Sequence, residues 1–320
     1  MPQFIRSLIL RRPACSEFPV SMNAVPTTPS RARWLGPVMG LSFVLIWCTG
    51  YPTAKIVVGH SGPFTALCLR FACAAAIFGV LALIAKVRWP GHRAAAHSAI
   101  VGLLQLALQF GGVYGAMRLG ASASLSALVI GAMPLSVSAF SLLLGERIGK
   151  LQWLGLLVGF TGVWLVIGES LVGARADVWS IGALLLGLLG ISCGTLYQKR
   201  YGSAIDLRAG LAIQNTAASL ALLPLAWGLE GLHTDGSQAF WLSTTWIVLV
   251  NSVGGFALLF LLIRNGAATQ VAALFYLVPA VGAIMGHFVL GEVLTRLEIL
   301  GFFVAAFGVY LGTRTPPPAR

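Results

Sequence analysis

The stretch RLGASASLSALVIGAMPLSVSAFSLLLGERIGKLQWLGLLVGFTGVWLVIG, residues 118–168, returns as RNGAATQVAALFYLVPAVGAIMGHFVLGEVLTRLEILGFFVAAFGVYLGT, residues 264–313. An offset of 146 residues carries Arg118 onto Arg264, Gly120 onto Gly266, Gly145 and Glu146 onto Gly291 and Glu292, Gly155 onto Gly301, and Gly162 onto Gly308. Pro134 and Pro279 differ by 145, so one residue slips inside the apolar run. An ordered series of glycines, acids and prolines in two apolar backgrounds is the mark of a duplication. The duplication extends backward more faintly. Arg70 falls opposite Gln214, Gln105 opposite Asn251, and Trp47-Cys48 precede Lys55 as Cys193 precedes Lys199 and Arg200.

The surrounding composition is that of a chain living in lipid: 58% hydrophobic, 9% charged, with a mean hydropathy of +0.88. A helix rising ~1.5 Å per residue needs about 20 apolar residues to cross ~30 Å of hydrocarbon. On that measure the sequence predicts ten spans, near 35–57, 64–85, 97–117, 122–144, 151–168, 178–198, 208–228, 240–263, 267–290 and 297–313. The runs are continuously apolar, without the alternating polarity of a membrane β-barrel strand. The expected fold class is therefore an all-α membrane protein of ten transmembrane helices.

A net charge of +12 would point to nucleic acid in a soluble protein, but here its placement follows the membrane. With the N-terminus in the cytoplasm, sixteen Lys and Arg residues fall inside, and only Lys55, Arg118, Arg175 and Arg296 fall outside, with Arg70 in a span. Five spans per copy is an odd number, so the second copy must enter the membrane upside down. The loops agree. Lys86, Arg88 and Arg93 follow the second span, whereas Glu230, His233 and Asp235 follow the seventh, with no Lys or Arg. Two inverted five-helix repeats, 35–168 and 178–313, are expected, an arrangement characteristic of carriers that alternate access around a midplane site. Both termini are then cytoplasmic: 1–34 reads as a flexible tail, with a cleaved targeting peptide or a later start at Met22 or Met39 as alternatives, and 314–320 as a short tail.

Cys15, Cys48, Cys68, Cys73 and Cys193 show no CxxC spacing and read as small core residues apart from Cys15, and the five histidines show no ligand spacing. No metal or cofactor is expected, and no Walker motif suggests ATP. Gly155, Gly159 and Gly162, and Gly190 with Gly194, have the small-xxx-small spacing of closely packed helices, within a monomer or across a homodimer.

The segment LIWCTGYPTAKIVVGHSGPFTALCLRF, residues 45–71, resembles the drug/metabolite transporter superfamily. The endings LLLGERIGKLQWLGLLVGFTGVWLVIG and FVLGEVLTRLEILGFFVAAFGVYLG resemble its EamA-type domain, of which such proteins carry two. The resemblance covers 35–313 and implies a ten-helix carrier of the cell (inner) membrane. Its implied partners are the lipid bilayer and a small-molecule substrate such as an amino acid, a nucleotide-sugar-like compound or another metabolite.

A charge inside a span is costly and is by default a functional hypothesis. Arg70 lies about seven residues inside the second span, and two roles are open to it: snorkelling or bonding to backbone, or an anion contact in a cavity. Gln105 and Gln109 are one helical turn apart and so share a face, while Gln214 and Asn251 hold matching places in the other half. Of the aromatics Trp47, Trp246, Phe110 and Tyr276, Trp47 and Tyr276 are taken as cavity walls. Together these seven residues, Trp47, Arg70, Gln105, Gln109, Gln214, Asn251 and Tyr276, would suit a small carboxylate-bearing amphiphile. Pro134 and Pro279 are expected to kink spans four and nine. Glu146 and Glu292, just past span ends, read as caps or interfacial ion pairs ahead of proton-coupling groups; no Asp or Glu lies in the interior of a span.

Two other classes remain open. Residues 190–194, GISCG, match the GxSxG nucleophile elbow, which works only at a strand-to-helix turn. An intramembrane serine protease would need Ser192 beside a histidine, with His287 the one best placed. A non-transporting scaffold or receptor is the third class.

Overall fold

The structure is a computed structural model that describes residues 32–143, 149–173, 176–201, 205–264 and 277–312. Tyr276, Glu146, residues 1–31 and the C-terminal tail lie outside the described residues, whereas 32–34, expected in the N-terminal tail, begin the first helix. Within them the chain runs as α1 (Ala32–His60), α2 (Pro63–Ile84), α3 (His92–Gly102, Leu103–Leu108 and Gln109–Arg118) and α4 (Ala123–Gly131 and Met133–Leu143). There follow α5 (Lys150–Val172), α6 (Val178–Tyr201), α7 (Leu207–Glu230), α8 (Gln238–Trp246, Ile247–Gly254 and Gly255–Arg264), α9 (Val278–Leu290) and α10 (Arg296–Gly312). Eight helices among the described residues are long and apolar enough to cross a membrane, and Val278–Leu290 is a shorter apolar one. No strand forms among them beyond one isolated bridge, Ser61 with Thr234. Helix suits such apolar sequence because hydrocarbon cannot hydrogen-bond a backbone, which must satisfy itself.

Local chemistry sets the helix ends. Pro63 opens α2, where its missing N–H costs nothing. The Ser122, Asp206 and Ser237 side chains accept the first free N–H groups of α4, α7 and α8. Gly231 and Gly291 close α7 and α9 with φ of 60° and 68°, a left-handed cap that glycine adopts without strain.

Two features were not legible as expected. The middle segments of α3, Leu103–Leu108, and of α8, Ile247–Gly254, are π-helical. The 146-residue offset places the first inside the second, and Gln105 and Asn251 sit within them. Despite the wider π turn, Gln105 and Gln109 open onto one common space. In α4, the helix breaks at Ala132 just before Pro134, whereas Pro279 stands in the first turn of α9, and the part of span nine that precedes it lies outside the described residues. The two sites meet: a Cβ on Gly131 would stand 2.7 Å from Pro279 Cγ.

Packing contacts recur in pairs that the offset exchanges. A Cβ on Gly155 would be 2.7 Å from the Gly308 carbonyl oxygen, and one on Gly162 would be 2.7 Å from the Gly301 carbonyl oxygen. These two contacts exchange under the offset. As residue numbers rise along α5 they fall along α10, so the two helices pack antiparallel. The small-xxx-small glycines of α5 therefore serve packing inside the chain, and Gly190 and Gly194 do the same for α6 against α3. A second exchanged pair is polar. Gln105 Nε2 donates to Thr195 Oγ1 at 3.1 Å, and Asn251 Nδ2 donates to Thr49 Oγ1 at 3.4 Å. Cys48 is buried as expected, but Cys193 is exposed on the outside of α6 and is not a core residue.

Candidate functional site

The site is built from α1, α2, α3, α7 and α8 around Arg70. The second helix is apolar throughout, so Arg70 must find its partners in its neighbours, and it is only 8% exposed. Its Nη1 donates to the Tyr114 hydroxyl of α3 at 3.2 Å, and its Nε donates to Ser252 Oγ of α8 at 3.3 Å. The guanidinium carbon lies 4.3 Å from the Phe110 ring centroid. Hydroxyl dipoles and an aromatic face offset part of the cost of burying the charge. Neither of these hydrogen bonds goes to a carboxylate, and neither is with the lipid boundary, so Arg70 does not snorkel. Its Nη2 N–H groups make no hydrogen bond among the described residues.

Arg70 faces a chamber whose other walls include Trp47, Tyr51, Gln109, Asn215 and Asn251. Adjoining it is a larger space, lined by Gln105, Gln214, Thr195, Gln198 and Asp206 among others. Trp47, Leu106, Gln109, Phe110 and Phe256 line both, so the two form one passage with those residues at the neck. At the end of the larger space Arg208 holds Asp206 through two side-chain bonds of 3.1 and 3.0 Å, which keeps that carboxyl below its usual range.

The other end of the bundle is closed by hydrogen bonds. Glu230, at the end of α7, accepts the Phe64 and Thr65 N–H groups at 3.0 and 2.7 Å and the Thr65 hydroxyl at 2.7 Å. It thus caps α2 from another helix, where a carboxylate also meets the positive end of the helix dipole. Glu292 does the same for α4, accepting from Ala123 N at 2.7 Å and Ser124 N at 3.0 Å, so it is a cap. Lys55 Nζ donates to the Met117 and Ala121 carbonyls, each at 2.8 Å. His60 and Asp235 pair at 2.6 Å. The Ser237 N–H and the His60 ring hold the Asp235 pKa down at about 2. Because that pKa is depressed, the contribution of Asp235 to closure is present above its ordinary value of 3.8 and is lost only as pH falls through about 2.

Residues 34–168, and again residues 178–314, match the EamA-like transporter family. The chain belongs to the EamA-like transporter family. It is 29% identical over 287 residues to "Uncharacterized inner membrane transporter YedA" of Escherichia coli (strain K12), covering 88% of this chain and 92% of that one. It is 24% identical to "Probable amino-acid metabolite efflux pump" of the same strain, covering 86% and 93% of the two chains. A solved structure described only as "Crystal structure of protein" aligns with a TM-score of 0.62 at 18% identity, over 88% of this chain and 97% of its own, a likeness of fold. The chain is a multi-pass membrane protein of a transporter family.

Of the seven residues singled out in the sequence, Trp47, Arg70, Gln105, Gln109, Gln214 and Asn251 line the two chambers, while Tyr276 lies outside the described residues. Gln214 faces the larger space; its neighbour Asn215 is the residue that reaches the Arg70 chamber. Trp246 is half exposed, with its indole N–H on Thr49 Oγ1 at 3.1 Å, whereas Phe110 stacks on Arg70 and lines both spaces. Tyr114, Asn215, Ser252 and Phe256 were missed because single polar or aromatic residues in a span carry no mark of which face they take. For Glu230 there was a signal: Gly62, at the cap position of α2, has no side chain to cap with.

Proposed function

We propose that the chain is a ten-span carrier of two inverted five-helix repeats, 35–168 and 178–313. It exports a small metabolite bearing a carboxylate, such as an amino acid, by alternating access around the Arg70 chamber. The observation that carries this reading is the buried guanidinium whose partners are neutral hydroxyls and an aromatic ring, facing a chamber walled by amides and aromatics. A fork of unused N–H donors in a place of low polarity suits an anionic group. Inversion is supported by the opposite charge of equivalent loops and by the contacts of α5 with α10 that exchange under the offset. Cytoplasmic termini are supported by the positive-inside bias, and a place in the inner membrane by the name of the YedA relative. The direction of export is supported by the efflux-pump name of another relative.

No carboxylate lines the Arg70 chamber among the described residues, so coupling through an acid beside Arg70 is not expected. In proteoliposomes, counterflow of a labelled amino acid should proceed with no pH gradient imposed. If no carboxylate in a panel of amino and organic acids drives counterflow, the carrier reading for this substrate class is overturned, and a scaffold or receptor is favoured. The serine-protease alternative draws no support from the site. Ser192 Oγ is buried within α6 with no hydrogen-bond partner among the described residues, and His287 Nδ1 is engaged with the Glu292 carbonyl at 2.8 Å.

Alternating access also requires the closed end to open, and Glu230 holds it. Each bond from a donor to a charged acceptor contributes about 1.5–3 kcal/mol. Glu230→Gln keeps the shape and removes the charge. In a background with the native cysteines replaced, a cysteine placed at Ala54 in the chamber wall should react with an external, membrane-impermeant thiol reagent about tenfold faster or more when Glu230 is Gln. An unchanged rate would mean that the cap on α2 does not govern opening.

A further inference from the structure

Asn251 stands in the π-helical part of α8 and is 7% exposed, in the wall of the Arg70 chamber. Its amide nitrogen donates to the Ile46 carbonyl at 2.6 Å and lies 3.4 Å from both the Trp47 carbonyl and Thr49 Oγ1. Two of these partners are carbonyls, which only accept. The Thr49 hydroxyl gives its own hydrogen to Ile46 O at 2.7 Å, so it too accepts from the amide. The environment therefore determines which end of the amide is which. Nδ2 is bound to α1, and Oδ1 is left with no hydrogen-bond partner among the described residues. A buried acceptor without a donor is costly and calls for an explanation. Among the described residues the two other orphaned oxygens, Ser192 Oγ and Thr244 Oγ1, belong to residues that line neither chamber.

We propose that Asn251 Oδ1 is the acceptor for an N–H group of the carried solute, so that the chamber takes an amino-carboxylate, with its carboxylate on Arg70 and its ammonium on Asn251. This rests on the reading of the Arg70 chamber as the solute site. Both side chains line that chamber, and Ser252, next in sequence to Asn251, accepts from Arg70 Nε. A neutral acceptor fits this position better than an acid would. A carboxylate at position 251 would pair with Arg70 and occupy the fork, whereas an amide oxygen accepts from an ammonium and leaves the guanidinium free for the anion. A carboxylate solute without nitrogen would leave Oδ1 unpaired or set two acceptors against each other.

The test is calorimetric titration of the purified full-length protein with the twenty standard amino acids. The tightest binder is then compared with its desamino acid, which has the same carbon skeleton without nitrogen, and with the amine that lacks the carboxylate. The desamino acid is expected to bind about tenfold more weakly or worse. Asn251→Ala is expected to weaken the amino acid by that same factor and to leave the desamino acid unchanged. If Asn251→Ala weakens both in parallel, the residue is a structural brace and the proposal is overturned. Equal affinity of the wild-type protein for the amino and desamino acids overturns it without any variant, so a misfolded variant does not shelter it. Binding of the amine with no binding of the desamino acid would instead remove the carboxylate from Arg70, and the proposal with it.

Discussion

Replacing Arg70 by glutamine is expected to weaken binding of a carboxylate solute by about 100-fold or more while leaving the protein folded. Two charge-assisted hydrogen bonds from one fork, at about 1.5–3 kcal/mol each, set that scale. The fold should survive because removing a buried charge also removes its desolvation cost, and the hydroxyls of Tyr114 and Ser252 can bond to an amide in its place. Arg70→Lys keeps the charge but loses the planar fork and its stacking on Phe110, so a smaller loss, roughly tenfold, is expected. Both variants need comparison with wild type at matched amounts of inserted protein, by titration and by counterflow. Unchanged affinity in Arg70→Gln would make the guanidinium a structural group and remove the case for an anionic substrate.

The second large effect concerns the crossing of α5 and α10. A Cβ on Gly308 would lie 2.1 Å from the Gly159 nitrogen and 2.2 Å from the Gly159 Cα. Both are backbone atoms, which cannot rotate away as a side chain would, so the helices must part by about 1 Å for even a methyl group. In lipid no hydrophobic effect draws two helices together, and close backbone contact supplies much of the attraction. Gly308→Ala is therefore expected to cost about 2–3 kcal/mol and to lower the melting temperature by about 5 °C or more. Its counterpart across the offset, Gly162→Ala, meets the Ala305 nitrogen at 2.3 Å and should cost a similar amount. Gly182, where a Cβ would meet nothing within 4 Å, is the control. Alanine there should be neutral or stabilising by about 0.5–1 kcal/mol. Melting of Gly308→Ala together with wild type would show that the α5–α10 contact is looser than its geometry.

Much of this protein was determined by sequence alone, because lipid makes composition decisive. Continuous apolar runs in hydrocarbon leave the backbone no choice but helix, so helices stand where the runs stand, with ends extended by a few residues, as in Ala32–His60 against an expected 35–57. The repeated glycines, read at first only as a spacing, carried tertiary information too, since Gly155 and Gly162 face Gly308 and Gly301. Arg70 was legible because a charge in a span is rare. What only the tertiary structure decided was direction. A helical period tells which residues share a face, but in a span that is apolar all round it does not tell which face is inward. The π turns at Leu103–Leu108 and Ile247–Gly254 then shift that period within α3 and α8. The partners of Arg70, the use of Asn215 in place of Gln214 and the capping of α2 by Glu230 over 160 residues away in sequence all depend on which helices meet. That choice is made by long-range packing, and no local pattern of residues contains it.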